Sequence, residues 1–164
     1  MNAIVAVDEN WAIGCEGKLL FDIPEDMAFF RRATQGKVVV MGRCTLESLP
    51  GGRPLKGRTN IVLSRDKGAL PEGVTGCTDV QQVLEAVRAY PPEDVFVIGG
   101  QEVYTLLLEH CSRVYVTKVT AKARADRYFP NLNELPGWRV ANKPETKQQG
   151  GLAYAFWEYV NTEA

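Results

Sequence analysis

Short runs of apolar residues without alternating polar positions recur along the chain. Runs of this kind are typical of strands that are buried on both faces of a mostly parallel sheet. They occupy residues 3–7, 38–41, 61–63 and 95–98. Two later runs, at 114–120 and 154–160, have no helical pattern between them, so we expect an antiparallel pair of strands at the C-terminal edge.

Segments whose apolar residues recur with the period of a helix lie between the predicted strands. Patterns with the period of a helix occupy residues 23–30, 79–90 and 101–109. The first begins around Pro24, a residue type that is favoured in the first turn of a helix. The alternation predicts an α/β fold: a three-layer sandwich of one domain, residues 1–164, with a mostly parallel central sheet, an antiparallel C-terminal edge and helices on both faces.

The composition excludes several classes of protein. The chain has 164 residues, 45% of them hydrophobic, and a net charge of −1, which is ordinary for a folded domain and not for a disordered one. Every apolar run is far shorter than the ~20 residues that span a membrane. Four widely spaced cysteines and a single histidine form no zinc-binding pattern, so we expect no metal, reduced thiols and a cytoplasmic protein.

The charges are unevenly distributed. Residues 1–30 contain six acidic residues and one basic residue, whereas residues 31–67 contain nine basic residues, from Arg31 to Lys67, and two acidic ones. A basic middle segment in a nearly neutral chain favours a compact polyanionic ligand over nucleic acid. The alternative is a solvated basic surface without a ligand.

The long connection at residues 9–23, between the first strand and the first helix, is a candidate binding lid. Gly14 and Gly17 provide conformational freedom for such a lid. Its apolar side chains predict that it packs on a ligand or, alternatively, only covers the sheet edge. They are Trp11, Ile13, Leu19, Leu20 and Phe21.

A junction of buried strand, glycine and helix occurs twice, at Gly42-Arg43 and at Gly99-Gly100. Free N–H groups at a helix start favour an anion, and small residues let a ligand approach the backbone. Together with Ser64-Arg65 at the end of a neighbouring strand, the junctions predict a site for a cofactor with more than one phosphate. The alternative is that the glycines only permit tight turns.

Asp26 lies on the apolar side of the first helix, beside Met27 and Phe30. Glu25 already suits the role of an exposed first-turn acid that complements the helix dipole. A carboxylate on the buried side instead favours a ligand with paired N–H donors. A second dipole-complementing acid is the alternative.

These features occur in a specific order and spacing. The segments that carry the pattern are 5–7, 10–17, 23–30, 40–48, 52–58, 60–64, 98–104, 114–117 and 129–130. Over essentially its whole length the chain resembles the bacterial-type dihydrofolate reductases. That family reduces 7,8-dihydrofolate to 5,6,7,8-tetrahydrofolate with NADPH, by hydride transfer to pterin C6 and protonation of N5.

The resemblance implies roles for individual residues. Asp26 would bind the pterin N3–H and 2-amino groups and Thr117 would hydrogen-bond Asp26, while Arg58 would pair with the glutamate α-carboxylate. The implied catalytic residues are Asp26, Phe21 and Thr117. The implied substrate site comprises Ile4, Val5, Asp26, Met27, Phe30, Leu49, Leu55, Arg58, Ile98, Tyr104 and Thr117.

The resemblance also implies an NADPH site. Arg43, Ser64 and Arg65 would hold the adenosine 2′-phosphate, which favours NADPH over NADH. The implied cofactor site comprises Ala6, Ile13, Gly14, Gly17, Leu19, Gly42, Arg43, Cys44, Thr45, Leu63, Ser64, Arg65, Ile98, Gly99, Gly100, Gln101, Glu102, Val103 and Tyr104.

The chain departs from the family pattern at several positions. Phe21 follows Leu20 where many relatives carry Trp after Pro, so an aromatic wall remains but the indole donor is lost. Cys44 and Glu102 replace basic or polar residues, which weakens the electrostatic attraction for the cofactor. An insertion at Pro50-Gly51 lengthens the following loop.

Two other functions stay open: a pyrimidine reductase of riboflavin synthesis with the same fold, and a non-catalytic pterin or dinucleotide binder. The ligands implied by the resemblance are dihydrofolate, NADPH and antifolate inhibitors. We expect a monomer that binds neither nucleic acid nor membranes.

Overall fold

The computed structural model of the chain describes residues 1–66, 68 and 70–163. Lys67, one of the basic residues of the middle segment, lies outside them. The helices are α1 (Pro24–Thr34), α2 (Arg43–Ser48), α3 (Val80–Val87) and α4 (Gln101–Leu107). The strands are β1 (Asn2–Val7), β2 (Ala12–Cys15), β3 (Lys18–Leu19), β4 (Val38–Gly42), β5 (Thr59–Leu63), β6 (Val74–Cys77), β7 (Val95–Gly99), β8 (Arg113–Val119), β9 (Arg127–Tyr128), β10 (Trp138–Val140), β11 (Lys147–Gln149) and β12 (Leu152–Asn161).

A sheet of nine strands in the described part of the chain forms the central layer. Its strand order is β10-β12-β8-β1-β7-β4-β5-β6, and β11 pairs with β12 outside this path. Along the path β8-β1-β7-β4-β5-β6, each pair of adjacent strands is parallel. Strand β12 is antiparallel to both β8 and β10. The predicted mostly parallel sheet with an antiparallel C-terminal edge is confirmed.

The apolar runs have no polar alternation because helices cover both faces of the sheet. Val38 and Val40 of β4 belong to the largest core cluster, which also contains Val83 of α3. Their neighbours Val39 and Met41 point to the opposite face and pack with Leu46 of α2. The predicted three-layer sandwich is therefore confirmed. Among the helices of the described residues, none is long and apolar enough to cross a membrane.

Helix α1 lies on the same face of the sheet as α2, against β8 and β12. Its Phe29 ring lies 6.1 Å from the Tyr115 ring and 5.2 Å from the Phe156 ring, measured between centroids. Pro24 begins the helix, where its missing N–H is not needed. Gly36 follows the helix with a φ of 76°, a left-handed conformation that ends helices readily. These features set where α1 begins and ends and which side of it packs on the sheet.

Parallel pairing brings the carboxyl ends of several strands to one edge of the sheet. Gly42, the last residue of β4, is paired with Leu63 of β5, and Met41 is paired with Gly99 of β7. Ligands bind outside the carboxyl ends of the strands in open α/β sheets. This edge is therefore the expected position of a ligand site.

The prediction of one long connection over residues 9–23 is wrong in part. The segment contains the β2–β3 hairpin, and β9 pairs with β2 to complete a small second sheet. The turn has positive φ at Glu16 (51°) and Gly17 (78°), the combination that a two-residue hairpin turn needs. Strands of four and two residues are too short to show a period in the sequence.

Candidate active site

Asp26 lies in the first turn of α1 and is held by one residue of the sheet. Thr117 of β8 donates a hydrogen bond from its hydroxyl to Asp26 Oδ1 at 2.6 Å. Partial burial raises the pKa of the Asp26 carboxyl, and the Thr117 hydrogen bond opposes that rise. Within residues 1–66, 68 and 70–163, no cation forms an ion pair with Asp26. The second carboxylate oxygen is left for a ligand that donates N–H groups.

The residues around Thr117 come from β1 and α4. The pairing of β1 with β8 places Ala6 beside Thr117 and Ile4 beside Tyr115. Tyr104 of α4 donates a hydrogen bond from its buried hydroxyl to the Ile4 carbonyl oxygen at 2.7 Å. Burial raises the pKa of Tyr104 far above its usual value, so its hydroxyl remains a donor. The Ile4 oxygen has two lone pairs, of which Tyr104 uses one.

Apolar surface lies beside Asp26. Met27, the next residue in α1, is 46% exposed, although it is large and hydrophobic. On the same side of the sheet, partly buried apolar residues pack on the core cluster around Met41. Those from the implied substrate site are Leu49, Leu55 and Ile98. An exposed apolar residue beside a partly buried carboxylate suits a flat heterocyclic ligand.

Arg58 lies at the opposite end of α1 from Asp26. Its Nη1 donates to the Thr34 hydroxyl at 3.2 Å, and its Nε donates to the Lys56 carbonyl oxygen at 3.0 Å. Burial and the neighbouring charge of Arg31 lower the pKa of the Arg58 guanidinium. In the described residues Arg58 has no acidic partner. A bound anion would therefore stabilise the neighbouring positive charges of Arg58 and Arg31.

The two strand–glycine–helix junctions lie against each other. A Cβ on Gly42 would lie 3.0 Å from Val103 Cγ2, and one on Gly100 would lie 3.6 Å from Thr45 Oγ1. No side chain caps the start of α2 or of α4, so N–H groups are free at both helix starts. Close backbone approach and adjacent N–H groups are what a pyrophosphate needs.

The charged residues at this edge differ in their availability. Arg43 Nε donates to Glu47 Oε1 at 3.0 Å, whereas Arg65 is exposed and pairs with no acid in the described part of the chain. Ser64 is buried, and its hydroxyl donates to the Asp66 carbonyl oxygen at 3.1 Å. Cys44 and Glu102 are exposed on α2 and α4. The donor set is thus one free guanidinium, one paired guanidinium and the helix N–H groups.

Comparison with known proteins identifies the family. A family model described as dihydrofolate reductase matches residues 1–161. The dihydrofolate reductase of Bacillus subtilis (strain 168) is 36% identical over 157 residues, covering 95% of this chain and 91% of that protein. The enzyme of Haemophilus influenzae is 38% identical over 130 residues, 79% of this chain and 78% of that protein. The chain belongs to the dihydrofolate reductase family. The resemblance inferred from the motifs is confirmed.

The fold agrees with this family. The dihydrofolate reductase from Enterococcus faecalis, complexed with NADP(H) and RAB-propyl, superposes with a TM-score of 0.85 and 33% identity. The match covers 97% of this chain and 94% of that structure.

The structure does not bring all the predicted site residues of the chain to Asp26. Val5 and Ile13 belong to the largest core cluster. Val5 pairs with Val116, a member of the same cluster, so its side chain lies on the sheet face opposite Thr117. Leu19 is 76% exposed, so the expectation that the apolar residues of the lid pack is wrong for this side chain.

The remaining predicted residues occupy the lid and its surroundings. Gly14 accepts a hydrogen bond from the Asp126 backbone N–H at 3.0 Å, and Gly17 forms the hairpin turn. Phe21 packs with the small cluster that includes Ile23. The Gln101 side-chain oxygen accepts from the Tyr128 backbone N–H at 2.8 Å, so Gln101 holds β9.

Two acidic residues that hold this lid in place were not identified from the sequence. The buried carboxylate of Asp8 accepts backbone hydrogen bonds from Asn10, Ala12 and Ala123 at 2.8–2.9 Å. Asp126 Oδ2 accepts one from the Glu16 backbone N–H at 3.0 Å. Asp8 directly after a strand is a recognisable turn signal, but the contacts with Ala123 and Asp126 span over 100 residues and leave no local signal.

Proposed function

We propose that the chain reduces 7,8-dihydrofolate to 5,6,7,8-tetrahydrofolate with NADPH, and that Asp26 binds the pterin. The observation that carries the proposal is the Asp26 carboxylate, partly buried, hydrogen-bonded only by neutral Thr117 and without a cation in the described residues. Burying such a group is costly unless a ligand supplies donors. Membership of the dihydrofolate reductase family supports the same activity.

The pterin ring supplies the missing donors. Its N3–H and 2-amino group are parallel, and a carboxylate can accept two parallel hydrogen bonds at once. Thr117 donates to Asp26, so its oxygen lone pairs can accept from the pterin amino group. The Ile4 carbonyl, already hydrogen-bonded by Tyr104, completes that edge of the pocket. Protonated diaminopyrimidine inhibitors offer the same donors and compete with the substrate.

The length of α1 matches the rest of the substrate. Thr34, which hydrogen-bonds Arg58, follows Asp26 by eight residues, a rise of about 12 Å along the helix. In dihydrofolate a methylene and an aminobenzoyl group separate the pterin from the glutamate tail, so the two ends need binding groups that are well separated. The Arg58 guanidinium receives the α-carboxylate of the tail, and Met27 and Phe30 contact the ring system between the two ends.

The residues at the strand edge fit NADPH. A Cβ at Gly42 or Gly100 would fill the space against Val103 or Thr45, and the helix starts there have uncapped N–H groups. In this proposal those groups bind the pyrophosphate, and Arg65 binds the 2′-phosphate. When bound, NADPH supplies the hydride that is transferred from nicotinamide C4 to pterin C6. Ala6, paired with Thr117 in the sheet, aligns the nicotinamide beside the pterin.

Protonation of pterin N5 completes the reaction. Asp26 acts on N5 indirectly, because its negative charge at the far edge of the pterin raises the basicity of the ring. A water molecule delivers the proton. Phe21 provides an aromatic wall on that side, and it contributes no hydrogen bond because its ring has no donor.

Substitution of Asp26 tests the proposal. NADPH oxidation, followed by its absorbance on addition of dihydrofolate, is expected to fall at least 100-fold in Asp26→Asn near pH 7, about 3 kcal/mol of transition-state stabilisation. NADPH binding is expected to survive. Asp94→Asn, the same change in a surface ion pair with Lys37, is the matched control and should keep full activity. Wild-type turnover in Asp26→Asn would remove Asp26 from this role, and binding without turnover in the wild type would indicate a non-catalytic binder.

The proposal extends to the whole chain. Residues 1–164 act as one dihydrofolate reductase-like domain, which the continuous central sheet supports. We place the protein in the cytoplasm as a monomer. Sedimentation of the purified protein tests the monomer, and fractionation of cells tests the location.

A further inference from the structure

Glu25, the residue before Asp26, is fastened to the C-terminal strands by three contacts. Its Oε1 accepts a hydrogen bond from Lys147 Nζ of β11 at 2.5 Å, and its Oε2 accepts one from the Tyr154 hydroxyl of β12. Its backbone N–H donates to Gln149 Oε1 at 3.2 Å. Glu25 lies in the first turn and its side chain is 36% exposed, as expected, but that side chain also binds partners 122 and 129 residues away.

The start of α1 needs such support. Ile23 occupies the N-cap position and provides no side-chain hydrogen bond, and Pro24 has no N–H. The next N–H groups would be left to water in an uncapped helix. The Gln149 side chain satisfies the N–H of Glu25, so the strand region supplies what the helix sequence lacks.

Glu25 and Asp26 are held by neighbouring strands. Thr117, which holds Asp26, lies on β8, and β8 pairs with β12, where Tyr154 faces Val119. Tyr154 is 1% exposed, so its contact with Glu25 is not a loose surface pair. The hydrogen bond to Glu25 raises the pKa of Tyr154 to about 12, which keeps the phenol protonated as a donor.

We propose that Glu25, through Tyr154 and Lys147, is a positioning residue that sets the orientation of the Asp26 carboxylate for the substrate. A fork of two hydrogen bonds to the pterin requires both oxygens of Asp26 in one plane with the ring. Thr117 fixes only one of them, and rotation of the first turn of α1 would move the other. The three contacts of Glu25 prevent this rotation. The inference rests on the role of Asp26 in the proposed function.

Substitutions of Glu25 separate positioning from a general contribution to stability. Glu25→Ala removes both side-chain contacts, whereas Glu25→Gln keeps an acceptor for Tyr154. Glu158→Gln is the matched control, because Glu158 also lies on the antiparallel edge, accepts from Arg113 at 2.8 Å and is 39% exposed, compared with 36% for Glu25. Tyr154→Phe provides a second variant if Glu25→Ala does not fold.

The first measurement uses the protein without ligands. The pH titration of the Asp26 carboxyl carbon by ¹³C NMR is expected to move to lower pH in Glu25→Ala, because the loosened turn admits water and a negative charge is lost. The titratable and charged groups around Glu25 are Lys147 of β11, Tyr154 of β12, and Arg32 and Asp26 of α1. The control Glu158→Gln should leave the titration unchanged.

The second measurement is steady-state turnover. In Glu25→Ala, kcat/KM for dihydrofolate is expected to fall at least tenfold, with the Kd for NADPH within twofold of the wild type. Glu25→Gln should recover most of the loss. Equal losses in both variants, or an unchanged Asp26 titration and kcat/KM in folded Glu25→Ala, would overturn the positioning role. An inactive wild type would refute the proposed function instead, a result that the ligand-free titration keeps separate.

Discussion

The charged form of the Asp26 carboxylate is less favourable in the ligand-free protein than in water, and a ligand that donates hydrogen bonds would stabilise it. Partial burial raises the pKa of this group, so ionisation costs more in the folded chain than in the unfolded one. By linkage, the penalty is absent at a pH below the unfolded pKa and is fully present above the folded pKa. At neutral pH the native state therefore carries a cost that a neutral side chain would not have.

We expect Asp26→Asn to be more stable than the wild type at pH 7. The amide keeps an acceptor for Thr117 and has no charge to desolvate. The advantage should shrink as the pH falls toward about 4, the ordinary pKa of an aspartate, because the wild-type carboxyl then takes up a proton. Thermal unfolding of the ligand-free proteins between pH 4 and 8 measures it. A lower melting temperature for Asp26→Asn at pH 7 would mean that the charge is stabilised in the native state.

Arg65 gives a second prediction at the scale of one residue. It is exposed and unpaired among the described residues, whereas Arg43 already binds Glu47. Arg65→Ala is expected to weaken NADPH binding about tenfold, the loss of a charge-assisted hydrogen bond of about 1.5 kcal/mol, and to leave NADH binding unchanged. Titration of each cofactor by fluorescence tests this, with Arg88→Ala at the C-terminal end of α3 as the control. Equal losses for both cofactors would place the 2′-phosphate elsewhere.

At the scale of elements, the lid is fastened at its base. The Asp8 carboxylate is buried and joins the end of β1, the start of β2 and the segment after β8 through three backbone N–H groups. An alanine at this position would leave all three donors without a partner. The Ala12 hydrogen bond is buried and those of Asn10 and Ala123 are partly buried, so water cannot fully replace the lost acceptor.

We expect Asp8→Ala to lower the free energy of unfolding by about 3 kcal/mol, as judged from the cost of unsatisfied buried donors. Asp79→Ala is the graded comparison: this residue caps α3 through one exposed N–H, and its loss should cost about 1 kcal/mol. Urea unfolding of both variants measures the difference. Equal small losses would show that water satisfies the three donors at Asp8.

The elements that the sequence predicts well are the long or fully buried ones. The runs at 3–7, 38–41 and 95–98 correspond to β1, β4 and β7, since burial on both faces leaves an unmistakable apolar signature. The helix predicted over residues 101–109 corresponds to α4, which ends at Leu107 and is followed by a tighter turn through His110. Only the last turn of the prediction therefore differs from the structure. The sequence does not predict β11, because this strand is short and polar and its pairing with β12 produces no pattern of apolar residues.

At the scale of the whole molecule, the candidate site combines residues from distant parts of the chain. Asp26 is recognisable from its helix, but its contact with Thr117 spans 91 residues. The family resemblance implied that contact, whereas the apolar pattern alone did not. The contacts of Glu25 with β11 and β12 were implied by neither, because they depend on the packing of a hairpin whose strands were not all predicted.

The separation of Asp26 and Arg58 predicts how the enzyme responds to a shortened substrate. Arg58→Ala removes the guanidinium at the Thr34 end of α1 and leaves the Asp26 end intact. A hydrogen-bonded ion pair with the tail carboxylate contributes about 1.5–3 kcal/mol, so KM for dihydrofolate should rise about 10- to 100-fold with little change in kcat. A dihydropterin without the glutamate tail has nothing to lose at that end, and its kinetic constants should stay the same.

The comparison of the two substrates decides what Arg58 does. Its hydrogen bonds to Thr34 and to the Lys56 carbonyl oxygen also join α1 to the loop before β5, so its removal could disturb the fold. A structural disturbance would impair the intact and the truncated substrate alike, whereas loss of an anion partner impairs only the intact one. Arg58→Lys, which keeps the charge but not the planar fork, should recover part of the KM effect if the tail carboxylate binds there.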